Sequence, residues 1–188
     1  MFAGFRYRWR LKGKGLSSLG GVAVGERVKI AGRVESEQKL LKAPITGRAC
    51  VFYQVEIGEW FNGSKTPLLS EASPERFALR DSTGLALIDP MRADVYLRPS
   101  LITGHSGDFY LQHRALLRRH GYGMVDEYGE LRSLAFRETI IAPDETITAL
   151  GEVREEVDPA GATSYRELAH RSVLGSGKRD SLLLCRFS

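Results

Sequence analysis

From Val22 onward, apolar and polar residues fall in short runs that alternate with a period of two, the repeat of a β-strand with one buried face. Val28 to Val34 is the cleanest run, with Val28, Ile30, Gly32 and Val34 on one side. Turn chemistry follows at Ala43-Pro44-Ile45-Thr46-Gly47. Cys50 to Trp60 then reads as one long strand, partly buried on both faces. Residues 61–75, rich in Gly, Ser, Pro, Asn and Lys, read as an exposed loop. Phe77–Asp81 and Gly84–Asp89 flank the turn Asp81-Ser82-Thr83-Gly84, and predict a hairpin. Pro90 ends its second strand because it has no N–H for the ladder. Further strands are predicted at 94–97, 131–141, 146–153 and 182–187, with turns at Pro143-Asp144-Glu145 and Asp158-Pro159-Ala160-Gly161. Helical spacing is persuasive once. Leu111, Ala115 and Leu116 or Leu117 form a narrow stripe near 109–119, basic at its end and stopped by Gly121 and Gly123. The expected fold is mainly β: an antiparallel barrel or sandwich, an OB-like barrel among the candidates, with that one short helix.

Charge changes this picture at one place. Residues 5–12 alternate Phe5, Tyr7, Trp9 and Leu11 with Arg6, Arg8, Arg10 and Lys12, and Lys14 follows. In an extended conformation one face of this arm is basic and the other aromatic. These five cations leave 22 basic against 23 acidic side chains elsewhere, so the net charge of +4 belongs to the arm. Three readings of it stand open: contact with an anionic membrane surface, contact with nucleic-acid phosphates and bases, or a solvated edge strand guarded by cations. Glycines and serines over 13–21 read as a flexible connector. The chain therefore divides into an arm and connector at 1–21 and a single β domain at 22–188.

No stretch approaches the roughly 18 uncharged apolar residues of a membrane-spanning helix, and the first residues lack a signal peptide's apolar core. Two cysteines, Cys50 and Cys185, supply neither a disulfide framework nor a zinc site, and Cys50 sits in an apolar run that suits a buried thiol. A reducing compartment follows as the expectation.

Candidate chemistry is sparse. His113 and His120 are seven apart on the predicted helix, with no carboxylate or cysteine at ligand spacing. His105 lies near Ser106 and Asp108, but triad members are brought together by a fold rather than by adjacency. Gly13-Lys14-Gly15 and Gly175 to Asp180 hold phosphate-friendly residues without P-loop spacing. Asp81, Asp89 and Asp94 surround one hairpin, where turn capping and a strand end account for the first two. The expectation is no catalytic residue, no metal and no cofactor.

Four ordered blocks carry a resemblance: Gly25 with Val28–Val34, Lys42–Tyr53, Phe77–Pro90 and Glu138–Gly151. Together they resemble the GIDE domain, also called BAM ("beside a membrane"), found in mitochondria-anchored ubiquitin and SUMO ligases and in many bacterial and archaeal proteins. The resemblance spans about residues 6–155. It implies a β-rich partner-recognition module held beside a bilayer by flanking transmembrane helices, neither of which stands in these residues. In the ligases the chemistry resides in a RING finger that needs eight Cys/His ligands, so ligase activity does not carry over to a chain with two cysteines. The resemblance thus implies a non-catalytic, E3 ubiquitin ligase-related binding module. It would be membrane-associated on the cytoplasmic side, or cytoplasmic. Arg6, Arg8, Trp9, Arg10, Lys12 and Lys14 would meet the anionic surface, and loops 35–47, 61–75 and 98–110 a protein or small ligand. A single-stranded nucleic-acid binder of OB type is the alternative, and nucleic acid the less favoured partner.

Overall fold

The computed structural model describes residues 15–61, 64–103, 107–158 and 169–186. The arm's Arg6, Arg8, Trp9, Arg10, Lys12 and Lys14, and also His105, lie outside them. Two compact units emerge, one built from 15–40, 74–97 and 141–186, the other from 41–73 and 98–140.

The first unit holds β1 (Arg27–Glu35), β6 (Phe77–Arg80), β7 (Leu85–Ile88), β8 (Asp94–Tyr96), β11 (Thr146–Val157), β12 (His170–Gly175) and β13 (Leu183–Cys185). Five of these close on themselves in the order β1-β6-β7-β12-β11 and back to β1, with β13 and β8 extending the sheet. Only β7 and β12 run parallel within the ring; the other ring pairs are antiparallel. Numbered along the chain, the ring strands follow 1-2-3-5-4-1, a closed Greek-key barrel of OB type. The barrel reading is therefore the one adopted. Register places Val34 beside Leu79, Leu79 beside Ala86, Phe77 beside Ile88 and Ile30 beside Ala149, and these side chains fill the interior.

Two glycines let the ring close. β1 pairs with β11 through Arg27–Arg33 and with β6 through Arg33–Glu35, so it turns from one neighbour to the other at Gly32–Arg33. A Cβ on Gly32 would stand 2.8 Å from the Arg80 carbonyl oxygen. On Gly151 of β11 it would stand 2.7 Å from Leu182 Cδ1 and 2.8 Å from the Gly175 carbonyl oxygen. Backbones approach at these points more closely than any other residue permits.

Residues 16–21, expected as a flexible connector, are part of the barrel. Ser17 donates its N–H to the Lys29 carbonyl at 2.8 Å, and a 3-10 turn at Leu19–Gly21 buries Leu19. Asp81 is the anchor: its carboxylate accepts from the N–H groups of Leu19, Thr83 and Gly84 and from the Thr83 hydroxyl. Burial raises its pKa, but these donors outweigh burial and hold it at about 2. The aspartate predicted to cap one turn thus also pins a distant segment.

The second unit holds β2 (Leu41–Lys42), β3 (Ala49–Cys50), β4 (Phe52–Phe61), β5 (Ser64–Ala72), β9 (Leu101–Thr103), β10 (Leu134–Ile141) and α1 (Gly107–Arg119). Its main sheet runs β5-β4-β10-β9. Val55, Ile57, Leu134 and Phe136 from the sheet pack with Leu116 and Leu117 of α1 and with Ile45 in one core. Gly121, at φ 80°, closes the helix, with Tyr122 N–H reaching the Leu117 carbonyl and Gly121 N–H the Arg118 carbonyl.

Here the sequence expectation fails at 61–75, where β5 pairs with β4 from Ser64 to Ala72. Its polar residues and Pro67 suit a strand at the sheet's edge, where a missing N–H costs nothing. The long strand expected at 50–60 is also broken, because Val51 separates β3 from β4.

Gly151→Ala is expected to destabilise the barrel by about 1–3 kcal/mol, through overpacking against backbone and Leu182. Gly15→Ala, where nothing lies within 4 Å of the added carbon, is expected to be close to neutral. Urea midpoints of the two variants check this. For Asp81 the lowered pKa means that the charged form stabilises the fold. That contribution is complete above about pH 4 and is lost as pH falls through about 2. Amide exchange at Leu19 and Gly84, corrected for intrinsic rate, should accelerate across that window, and in Asp81→Ala should already be fast at neutral pH.

Candidate binding surface

Five arginines of the first unit are committed to carboxylates. Arg76 donates to Glu156 at 2.7 and 3.0 Å, Arg154 to Asp89 at 3.0 Å, Arg171 to Glu37 at 2.5 Å and Arg80 to Glu35 at 2.6 Å. Arg33 likewise pairs with Asp144 at 2.7 Å. On OB-type barrels the face of the second and third strands is the usual seat of nucleic acid. In this chain that face bears Ala78 and Leu87 of β6 and β7, buried with Val173, and Arg80 already paired. Arginines already matched to carboxylates offer little counterion release to a phosphate backbone.

The aspartates weighed as a cation site are likewise dispersed among other partners. Asp81 caps its turn, Asp89 meets Arg154, and Asp94 accepts from the Ser181 hydroxyl. Among the described residues no group of three His, Cys, Asp or Glu is arranged to hold a metal ion.

In the second unit the chemistry-bearing residues gather at two points. The first is Glu138 of β10, fully buried. Its carboxylate accepts the N–H of Ile45 at 2.7 Å, the N–H of Thr46 at 3.1 Å and the Thr46 hydroxyl. The turn it grips is closed by Ala43 N–H to the Arg48 carbonyl and by Gly47 N–H to the Ala43 carbonyl, with Gly47 at φ 68°. Only a residue without a Cβ takes that conformation cheaply. Two of the four sequence blocks thus meet here, one supplying the turn and the other its anion.

Burial, reinforced by Glu138, pushes the Cys50 thiol up to about 11. Burial alone, opposed weakly by Lys29, puts the Cys185 thiol at about 11. Both stay protonated and unreactive at neutral pH. His113, 7% exposed and 5.9 Å from the Phe136 ring, has its pKa lowered by burial against the pull of Glu138, which favours the neutral ring.

The second point is Glu71 of β5. It accepts from Tyr53 Oη at 2.9 Å and Arg119 Nη2 at 2.7 Å, and His120 Nε2 lies 2.5 Å away. Burial raises the Glu71 pKa, but the bonds from His120, Tyr53 and Arg119 bring it below the ordinary carboxylate value. The cluster fastens the C-terminal end of α1 to the β4–β5 hairpin. His113 and His120, read from spacing as able to share a helix face, serve different neighbours: a core ring and an ion cluster. His170, the remaining described histidine, stands 3.7 Å from Glu155 near the surface.

Partner contact was expected at 35–47, 61–75 and 98–110. The structure puts Glu138 under the first of these, makes the second a strand and gives the third to β9 and the start of α1. Leu40 in the first and Ile102 in the third are 40 and 73% exposed, and a further group of exposed apolar side chains lies at a turn between α1 and β10. Val125, Tyr128 and Leu131 are 46, 78 and 70% exposed. The turn is rigidly built: Val125 and Leu131 form a bridge, and Asp126 accepts the N–H groups of Tyr128 and Glu130 on Oδ1 and that of Gly129 on its carbonyl. Arg132 locks the base through the Val125 carbonyl and Glu59. A sequence signal was available, since Val125-Asp126-Glu127-Tyr128-Gly129-Glu130-Leu131 is an Asp-initiated turn between apolar residues.

The described helix is too short to cross a membrane. Comparison with family models, with characterised proteins and with solved structures gives no match.

Glu138→Ala should cost about 2–3 kcal/mol, because the buried Ile45 N–H and the half-buried Thr46 N–H lose their acceptor. Urea unfolding measures the loss. Accelerated exchange at those two amides, without comparable change in the barrel strands, would place it at the turn.

Proposed function

We propose that this chain is a non-catalytic binding module of GIDE type that works against an acidic membrane surface and recruits a partner. Support comes first from where its ionisable groups go. Glu138 clamps a turn, Glu71 fastens a helix end, and arginines of the first unit answer carboxylates. Each group is held by the neighbours a structural role requires. The observation that carries the binding half is the turn at 124–132, which holds Tyr128 and Leu131 in solvent on a hydrogen-bonded frame. Rigid apolar display of this kind lowers the entropy lost on binding. The membrane half rests on the arm, whose five cations and interleaved aromatics suit an anionic headgroup layer.

Nucleic-acid binding is the second reading, because the ring has the strand order of an OB barrel. The paired arginines of the first unit weigh against it. Steeply salt-dependent retardation of single strands would favour it, and no retardation at low salt would dispose of it.

In vesicle flotation the full chain should bind membranes containing acidic lipid and pass by neutral ones. Replacing Arg6, Arg8, Arg10, Lys12 and Lys14 by Gln should weaken partitioning by about 1 kcal/mol per cation. No flotation with acidic vesicles would overturn the membrane half.

A further inference from the structure

We infer that the turn at 124–132 is a docking site for the basic–aromatic arm, residues 5–14, of a second copy of this chain. The inference gives the binding module proposed above its first partner, and to that extent rests on it. The exposed apolar centre is Val125, Tyr128 and Leu131. Glu127 and Glu130 stand exposed beside it, while Asp126 is spent within the turn and Arg132 at its base is spent on Glu59. The turn therefore offers exposed apolar side chains interleaved along the chain with two exposed carboxylates. An acidic leaflet repels those carboxylates, so the occupant sought is basic and partly apolar.

The arm has the complementary chemistry. It carries five cations and no acidic side chain, and from Arg6 to Lys12 places Tyr7, Trp9 and Leu11 between successive cations. A four-residue stretch such as Arg8-Trp9-Arg10-Leu11 spans about 13 Å when extended. With Trp9 and Leu11 laid over Tyr128 and Leu131, Arg8 and Arg10 lie on the outer side of the strand, from which their long side chains bend back towards Glu127 and Glu130. Aromatic and arginine side chains are also those that contribute most to small interfaces. Because the arm is also the segment proposed to touch lipid, acidic vesicles and the turn compete for the same residues.

The test has two arms. Sedimentation velocity on the full chain at low salt should show concentration-dependent association that is reversed by acidic vesicles. It should weaken roughly tenfold in Glu127→Lys/Glu130→Lys and in Tyr128→Ser/Leu131→Ser. In the second arm a fluorescent peptide of residues 5–14 is titrated into the chain whose own arm cations are replaced by Gln. It should bind. A peptide with its cations replaced by Glu should bind only the Glu127→Lys/Glu130→Lys form. That exchange of preference is not produced by unfolding, and shifts at amides 125–131 in the unmutated turn give a reading should a variant fail to fold. A chain monomeric at every concentration, or peptide binding indifferent to both pairs of substitutions, overturns the inference. Loss of flotation leaves it standing, just as loss of association leaves the membrane reading standing.

Discussion

Closure of the five-stranded ring is the constraint on which the rest of the first unit depends. β1 and β11 each serve more than one neighbour, and their glycines stand where a side chain would meet backbone across the seam. Once the ring is closed, its strands have no free edges to satisfy within it, and every inward position must be apolar. Ile30, Val34, Phe77, Leu79, Ile88 and Ala149 meet that demand. Closure also explains how the chain tolerates long excursions. Residues 41–73 leave between the first and second ring strands, and 98–140 between the third and fourth. Together these excursions build a sheet and helix with a core of their own.

That second unit is organised around a buried charge. A carboxylate as enclosed as Glu138 is costly unless several donors meet it, and the Ile45–Thr46 turn supplies three. The Ile45 N–H is buried with it and finds its acceptor there, so anion and turn specify each other. Glu71 shows a milder form of the same economy, with Tyr53, Arg119 and His120 converging on one acid at a helix end. Residue types that suggest acid–base chemistry in a list serve here as fasteners.

Much of the strand pattern was legible because it is local. The hairpin at Phe77–Ile88, the helix ending before Gly121 and the strand at Arg27–Glu35 follow from alternation, from an Asp-to-Gly turn and from a glycine stop. The misreadings share a cause. β5 is polar and carries Pro67, and only its partner β4 makes it a strand. Residues 16–21 look like a linker until Asp81, more than sixty positions away, accepts the Leu19 N–H. The rigid turn at 124–132 had its own local signal, yet its exposure depends on what does and does not pack over it.

The sequence by itself determined a mainly β chain with one short helix, a basic arm separate from a nearly neutral body, and a buried Cys50 thiol in a chain whose two cysteines lack metal-ligand spacing. These depend on periodicity and composition, which are properties of neighbouring residues. Tertiary structure alone decided that the strands close into a ring, that Glu138 lies under the Ile45–Thr46 turn, and that Tyr128 and Leu131 remain in solvent. Each of these is a matter of which distant residues meet, and strand alternation is the same whether a sheet closes or stays open.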